Sequence, residues 1–121
     1  MANRLTVTTT ASLVHPAGSA ALQTSEQRTL TGTGFVNIEQ EIGTGAWEAV
    51  SVTDIGTLGF LFIRNEDAVN YVEIATANDD TGIFGRISAG RGLPVDVVSG
   101  ATYYLKANTA TVKVVILATE V

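Results

Sequence analysis

The sequence predicts one compact all-β domain, a two-sheet sandwich of about eight antiparallel strands, and three observations predict it. Apolar residues recur at every second position instead of at helical spacing. Thr, Val, Ile and Gly together make up 51 of the 121 residues, as is common in strands and tight turns. Turn-forming residues interrupt the chain about every 8 to 12 positions, the spacing of a sandwich or barrel. We assign residues 1–121 to a single domain, because a chain of this length can bury one sufficient core.

The first strand is predicted from the N-terminus to a turn at residues 15–18. Leu5, Val7 and Thr9 alternate with further threonines, and this period of two is typical of a strand with two different faces. The sequence His15-Pro16-Ala17-Gly18 then supplies the turn. The next segment, residues 19–27, fits either a short helix or an exposed loop, and the sequence leaves both open.

Further strands are predicted wherever alternating or continuous apolar runs lie between turns. They cover residues 28–42, 47–52, 58–63, 70–74, 82–88, 93–97, 102–106 and 111–119. The run from Leu58 to Ile63 is apolar on both faces except at Gly59, so its strand is expected in the middle of a sheet or beneath a neighbouring subunit. Pro94 has no backbone N–H to donate, which places its strand at a sheet edge or starts the strand after the proline.

The charge pattern excludes several classes of partner. The net charge is −5, the pI is about 4.6, and the seven basic residues are scattered along the chain. No basic patch is therefore expected to bind nucleic acid. No apolar run approaches the roughly 20 residues of a membrane helix, and the N-terminus lacks the apolar region of a secretory signal. We expect a soluble protein without a membrane partner, and the absence of cysteine fits synthesis in a reducing cytoplasm.

One three-residue motif points to an enzyme. Asp80-Thr81-Gly82 matches the string at the catalytic aspartate of aspartic proteases, in which two carboxylates share a proton. Such an enzyme would bring two Asp80 side chains together across a dimer axis. The residues before the motif, 77–79, are polar where a buried strand should deliver the aspartate. Asp-Thr-Gly is also ordinary turn chemistry, so we expect no catalytic residue and no enzymatic activity.

Metal and cofactor sites are not expected either. His15 is the only histidine, and its place before a proline is typical of a loop residue. The turn aspartates lack the alternating ligand spacing of a calcium loop. The glycine pairs in residues 32–34 and 90–92 do not follow a strand and open a helix, as a phosphate-binding loop requires. These glycines are expected in bulges or in turns with positive φ.

The chain carries more apolar strand surface than a two-layer sandwich can bury. Residues 58–63, and residues 112–118 past Lys113, are apolar on both faces. Only 16% of all residues are charged, while 45% are hydrophobic. A homo-oligomer or a larger assembly would cover this surplus. The alternative is that residues 19–27 fold over the surplus face. The predicted interface residues are Leu5, Val7, Trp47, Leu61, Ile63, Val115 and Leu117.

The second half of the chain contains three phrases that resemble small structural proteins in the virions of tailed bacteriophages. The phrases are Asn65-Glu66-Asp67-Ala68-Val69-Asn70-Tyr71-Val72-Glu73-Ile74, Phe84-Gly85-Arg86-Ile87-Ser88-Ala89-Gly90 and Tyr104-Leu105-Lys106-Ala107-Asn108-Thr109-Ala110. The resemblance runs from Leu58 to the C-terminus, about half of the chain, and consists of strand and turn patterns. The first half of the chain contains no such phrase.

This resemblance implies a jelly-roll-like sandwich that builds a phage particle. Its implied role is a capsid decoration or cement protein that associates as a trimer, binds the major capsid protein and stabilises the head shell. Residues 1–14 are then a candidate arm that contacts the shell. One alternative is a neck or tail component. Another is a carbohydrate-binding module of a tail or fibre, which predicts Trp47, Tyr71 and Tyr104 exposed together on one face.

Overall fold

The computed structural model describes residues 3–30, 32, 34–53, 55–97 and 101–120, and these residues form ten β-strands and one short 3₁₀ turn. The all-β prediction is confirmed, with about two strands more than expected. Residues 1–2 of the predicted arm and Thr33 of the predicted glycine turn lie outside the described residues. None of the helical structure in the described ranges is long and apolar enough to cross a membrane. By its internal contacts the chain divides into two compact units, Met1–Thr31 and Gly32–Val121.

The first unit is a long two-stranded antiparallel sheet, which we call the ribbon. Its strands are β1 (Asn3–His15) and β2 (Gly18–Leu30), each of 13 residues. They pair without a register shift from Asn3↔Leu30 to His15↔Gly18. Gly18 has φ +150°, a backbone angle that residues with a Cβ rarely adopt. The two-residue connection between the strands therefore needs glycine at this position.

The ribbon settles the alternatives left open for residues 19–27. This segment is neither a helix nor a loop but the main part of β2. Its Ser, Ala and Gln residues have little strand preference of their own. The strand forms because every one of its residues lies opposite a residue of β1, and this pairing supplies the backbone hydrogen bonds.

The second unit, which we call the body, consists of two four-stranded antiparallel sheets. Its strands are β3 (Phe35–Ile42), β4 (Glu48–Ala49), β5 (Leu58–Asn65), β6 (Val72–Ala75), β7 (Ile83–Ile87), β8 (Gly92–Asp96), β9 (Tyr104–Ala107) and β10 (Val112–Glu120). The first sheet has the order β3-β10-β5-β8, and the second has the order β4-β9-β6-β7. The central place of β5 and the edge place of β8, which contains Pro94, are both as predicted.

The core of the body lies between the inward faces of the two sheets. The first sheet contributes alternate residues of β10 and β5, and the second contributes alternate residues of β6 and β9. Side chains with no exposed surface include Ile42, Leu61, Ile63, Val72, Ile74, Leu105, Val112, Val114 and Ile116. The apolar runs of β5 and β10 thus bury one face in this core and turn the other outward.

Candidate interaction surfaces

The structure distributes the seven predicted interface residues over four places. Leu61 and Ile63 lie in the core with no exposed surface, so they are unavailable to a partner, contrary to the assignment from sequence. The reason is the register of β5, whose odd-numbered residues in this region point inward. Leu5 and Val7 lie on the ribbon, where Leu5 is also buried, with 9% of its surface exposed. Val115 and Leu117 lie on the outer face of the first sheet, and Trp47 lies on the outer face of the second, beside Lys106.

Leu5 and Val7 belong to one face of an amphipathic ribbon. Because paired residues of an antiparallel sheet share a face, odd-numbered residues of β1 lie beside even-numbered residues of β2. This face pairs Leu5 with Arg28, Val7 with Glu26, Ala11 with Leu22 and Leu13 with Ala20. The opposite face is polar over most of its length, with Thr6 beside Gln27, Thr8 beside Ser25 and Thr10 beside Gln23.

The most exposed apolar patch of the ribbon lies near its turn. We call it the tip face and define it by Ala11, Leu13, Ala20 and Leu22. Leu13 is 57% and Leu22 is 74% exposed, and the four side chains line a shallow depression whose floor is completed by Ser12 and Ala21. Sequence reasoning missed this patch because it left residues 19–27 without a strand partner. The sequence did contain a signal for this patch. Ala20 and Leu22 follow the turn at the same distances at which Leu13 and Ala11 precede it, so a hairpin would pair them.

Between Arg4 and Glu26 the ribbon lacks the devices that keep exposed strand edges from pairing with other proteins. Natural edge strands carry charges, prolines or bulges for this purpose. Between Arg4 and Glu26 the sequence contains no Asp, Glu, Lys or Arg, and neither strand contains a proline or a register shift. A lone two-stranded sheet is marginally stable in water. These properties are typical of a strand pair that another protein covers.

A second candidate surface is the outer face of the second sheet, where aromatic rings lie beside cations. The Lys106 ammonium is 5.9 Å from the centre of the Trp47 ring, and the Arg86 guanidinium is 4.7 Å from the centre of the Tyr71 ring. Glu73 lies between the two cations, because it is paired with Arg86 on β7 and with Lys106 on β9. Cation–π contacts of this kind contribute about 0.5–1 kcal/mol at exposed sites.

The position of Trp47 answers one question raised by the sequence. Trp47 is half-buried and lies beside Lys106 on the outer face instead of in the core. Tyr104 is two residues before Lys106 on β9 and so lies on the same side of the sheet, and Tyr71 lies beside Arg86 on that side. The indole N–H donates a hydrogen bond of 2.8 Å to Asp80 Oδ1. The three aromatic residues therefore share a face, but cations already contact two of the rings.

The Asp-Thr-Gly motif forms a 3₁₀ turn at residues 80–82. Asp79 caps this turn by accepting hydrogen bonds from the Thr81 hydroxyl and the Thr81 N–H, and these bonds lower the pKa of the Asp79 carboxyl. Asp80 is exposed and accepts the bond from Trp47. Both carboxylates thus have local structural partners. Within the described ranges, no group of three or more His, Asp or Glu side chains could hold a metal ion.

Two of the three phrases that carry the phage resemblance, the first and the second, meet around one buried polar side chain, Asn65. Its Nδ2 donates hydrogen bonds of 2.9 Å to the carbonyls of Asn70 and Ile87, and its Oδ1 accepts a bond of 2.8 Å from Asp67 N–H. Its backbone exchanges bonds with Gly90 and Arg91. Asn65 is only 1% exposed, so it joins the first and second phrases from inside the body.

The third phrase joins the first through Asn108. The Asn108 Oδ1 accepts a bond of 3.1 Å from Tyr71 N–H, and the Asn108 N–H donates to the Tyr71 carbonyl at 3.2 Å. The shared residues of these phrases therefore hold turns and strand ends in place.

Asp67 within the first phrase makes the stability of the body depend on pH. Its Oδ1 accepts hydrogen bonds from the N–H groups of Asn70 and Val69 at 2.7 and 2.8 Å, and these bonds lower the pKa of the carboxyl. A lowered folded-state pKa stabilises the protein above the ordinary aspartate pKa, and this contribution disappears as the pH falls through the folded-state value. We expect Asp67→Asn to be less stable than the wild type at about pH 7, with a smaller difference at about pH 2. Urea unfolding at both pH values measures this, and a difference that persists undiminished in acid would contradict it.

No protein family, no curated protein sequence and no solved structure matches this chain.

Proposed function

We propose that this protein is a non-enzymatic structural protein of a bacteriophage virion, specifically a capsid decoration or cement protein. It associates with copies of itself and with the major capsid protein, and it stabilises the head shell. The observation that carries this proposal is the ribbon. Its 13-residue strands are exposed along almost their whole length and have no charge from Leu5 to Ser25. Such a surface gains stability when another protein covers it.

The topology of the body supports the same proposal. The strands β3, β5, β8 and β10 lie in one sheet, and β4, β6, β7 and β9 lie in the other. We propose that this arrangement is a jelly roll, the eight-stranded fold of two Greek keys that recurs in viral capsid and lectin domains. The resemblance of the three phrases to virion proteins points to the capsid use of this fold.

The distribution of charge favours the ribbon as the contact element. Residues 32–121 contain 11 of the 12 acidic residues and five of the seven basic residues. The body therefore carries a net charge of −6 and the ribbon a net charge of +1, which together give the −5 of the chain. Copies of the acidic body repel one another electrostatically. The ribbon between Arg4 and Glu26 carries no charged residue, so it adds no such repulsion to a contact. The trimeric state expected from the resemblance stays a prediction.

Co-sedimentation tests the capsid role. Purified protein is mixed with empty head shells assembled from the major capsid protein of the same genome, and the shells are pelleted. We expect saturable binding at a fixed ratio of decoration protein to capsid subunit, with no pelleting of the protein alone. Absence of the protein from the shell pellet at tens of micromolar would contradict the proposal.

A carbohydrate-binding module is the second candidate, favoured by the shared face of Trp47, Tyr71 and Tyr104. Sugar-binding sites use such aromatic rings as platforms. This alternative predicts that the protein binds a glycan array, that Trp47→Ala abolishes that binding, and that shells are not bound. The cement proposal predicts the reverse: the protein binds shells and does not bind the glycan array.

A further inference from the structure

The tip face has an internal symmetry that bears on the identity of its partner. Its four side chains form two adjacent rows, with Ala11 opposite Leu22 in one row and Leu13 opposite Ala20 in the next. The two leucines thus occupy one diagonal of a square, and the two alanines occupy the other. A half-turn about an axis perpendicular to the sheet exchanges leucine with leucine and alanine with alanine.

This diagonal pattern is complementary to itself. Two such faces can be stacked face to face about a two-fold axis that lies in the plane between them and runs along or across the strands. This rotation places the leucine diagonal of one copy over the alanine diagonal of the other. Every leucine of one copy then lies over an alanine of its partner, so that large side chains fill the spaces above small ones. Interdigitation of large and small residues is what gives protein interfaces their packing density. A two-fold interface requires self-complementarity of this kind.

We infer that the tip face binds the tip face of a second copy of this chain through a two-fold contact, an inference that rests on the self-association part of the proposed function. The patch carries no formal charge, so its partner is not selected by charge. Leu13 and Leu22 are more than half exposed and gain the most from being covered. Four small to medium side chains are fewer than the roughly 20–30 residues that each partner contributes to a standard interface. The pairing is therefore weak and depends on protein concentration.

A matched pair of variants tests this contact. Leu13→Asp places a charge in the tip face, whereas Val14→Asp places the same charge on the next residue of the same strand, which is 89% exposed and points to the opposite face. Sedimentation equilibrium of the full chain from about 5 to 500 μM measures the association. We expect Leu13→Asp to raise the dissociation constant about 100-fold or more, and Val14→Asp to leave it within a few-fold of the wild-type value.

The outcomes separate this contact from the capsid role. Equal loss of association in both variants would overturn the tip contact, because the effect would then follow from charge or from disturbance of the ribbon and not from one face. A strictly monomeric wild type at 500 μM would also overturn it. If Leu13→Asp associates as strongly as the wild type and shells are still bound, the tip contact is overturned and the capsid role is not. If Leu13→Asp loses association, Val14→Asp keeps it, and the wild type does not bind shells, the tip contact is supported and the capsid role is contradicted. Fluorescence of Trp47, which lies in the body, checks that each variant's body is folded.

Discussion

Replacing Ile116 by alanine is expected to lower the free energy of unfolding by about 2–5 kcal/mol. Ile116 lies on β10 between Ile38 of β3 and Ile63 of β5, and none of its surface is exposed. Strands on both sides hold the backbone in place, so the cavity left by the truncated side chain cannot collapse fully. Since small domains have total stabilities of about 5–15 kcal/mol, this loss is a large part of the whole. Urea unfolding followed by Trp47 fluorescence measures it.

Leu117→Ala is the matched control for this prediction. Leu117 is the next residue of the same strand, but it is half-buried on the outer face beside Phe62. We expect Leu117→Ala to lower the free energy of unfolding by about 1 kcal/mol, because the truncated side chain loses fewer contacts with the protein. Equal losses for the two variants would contradict the register of β10, in which alternate residues face the core and the outside.

The second large effect is expected at Asn65. Asn65→Ala removes three hydrogen bonds at once and leaves the carbonyls of Asn70 and Ile87 and the N–H of Asp67 without this partner. Buried polar groups that lose their partner cost about 1–3 kcal/mol each, moderated by local rearrangement. We expect a total loss of about 2–4 kcal/mol, measured by the same unfolding experiment.

Asn108→Ala provides the comparison for Asn65. Asn108 is exposed, and its side chain accepts one bond from Tyr71 N–H and donates one to Thr109. Water can replace these bonds, so we expect a loss of about 1 kcal/mol or less. A loss at Asn108 as large as that at Asn65 would contradict the view that burial, and not the hydrogen-bond count, makes Asn65 important.

These two asparagines also explain what the phage-like phrases do. Asn65 and Asn108 fix the ends of strands around β6, and Asp67 accepts bonds within the same turn. The phrases are therefore requirements of the fold. The contacts proposed for the particle lie on the ribbon instead, where the sequence contains no such phrase.

Some features of the protein follow from the sequence alone because they depend on local chemistry. The period-two pattern and the turn residues predict the all-β class. Pro94 predicts an edge strand, since a proline cannot donate to a neighbour on that side. The apolar run at residues 58–63 predicts a central strand. The turn at residues 15–18 follows from the proline and glycine it contains, and Gly90 has the positive φ expected of its glycine turn.

The tertiary structure alone decided which faces and segments come together. Residues 19–27 form a strand because β1 lies beside them, although their own composition has little strand preference. Leu61 and Ile63 are in the core while Val115 and Leu117 face outward, because strand register assigns each side chain to one face and a shift of one residue would exchange the faces. The diagonal of Leu13 and Leu22 likewise exists only through pairing across the turn. Local chemistry determines which segments can be strands, but partners distant in the sequence determine what each strand presents to its surroundings.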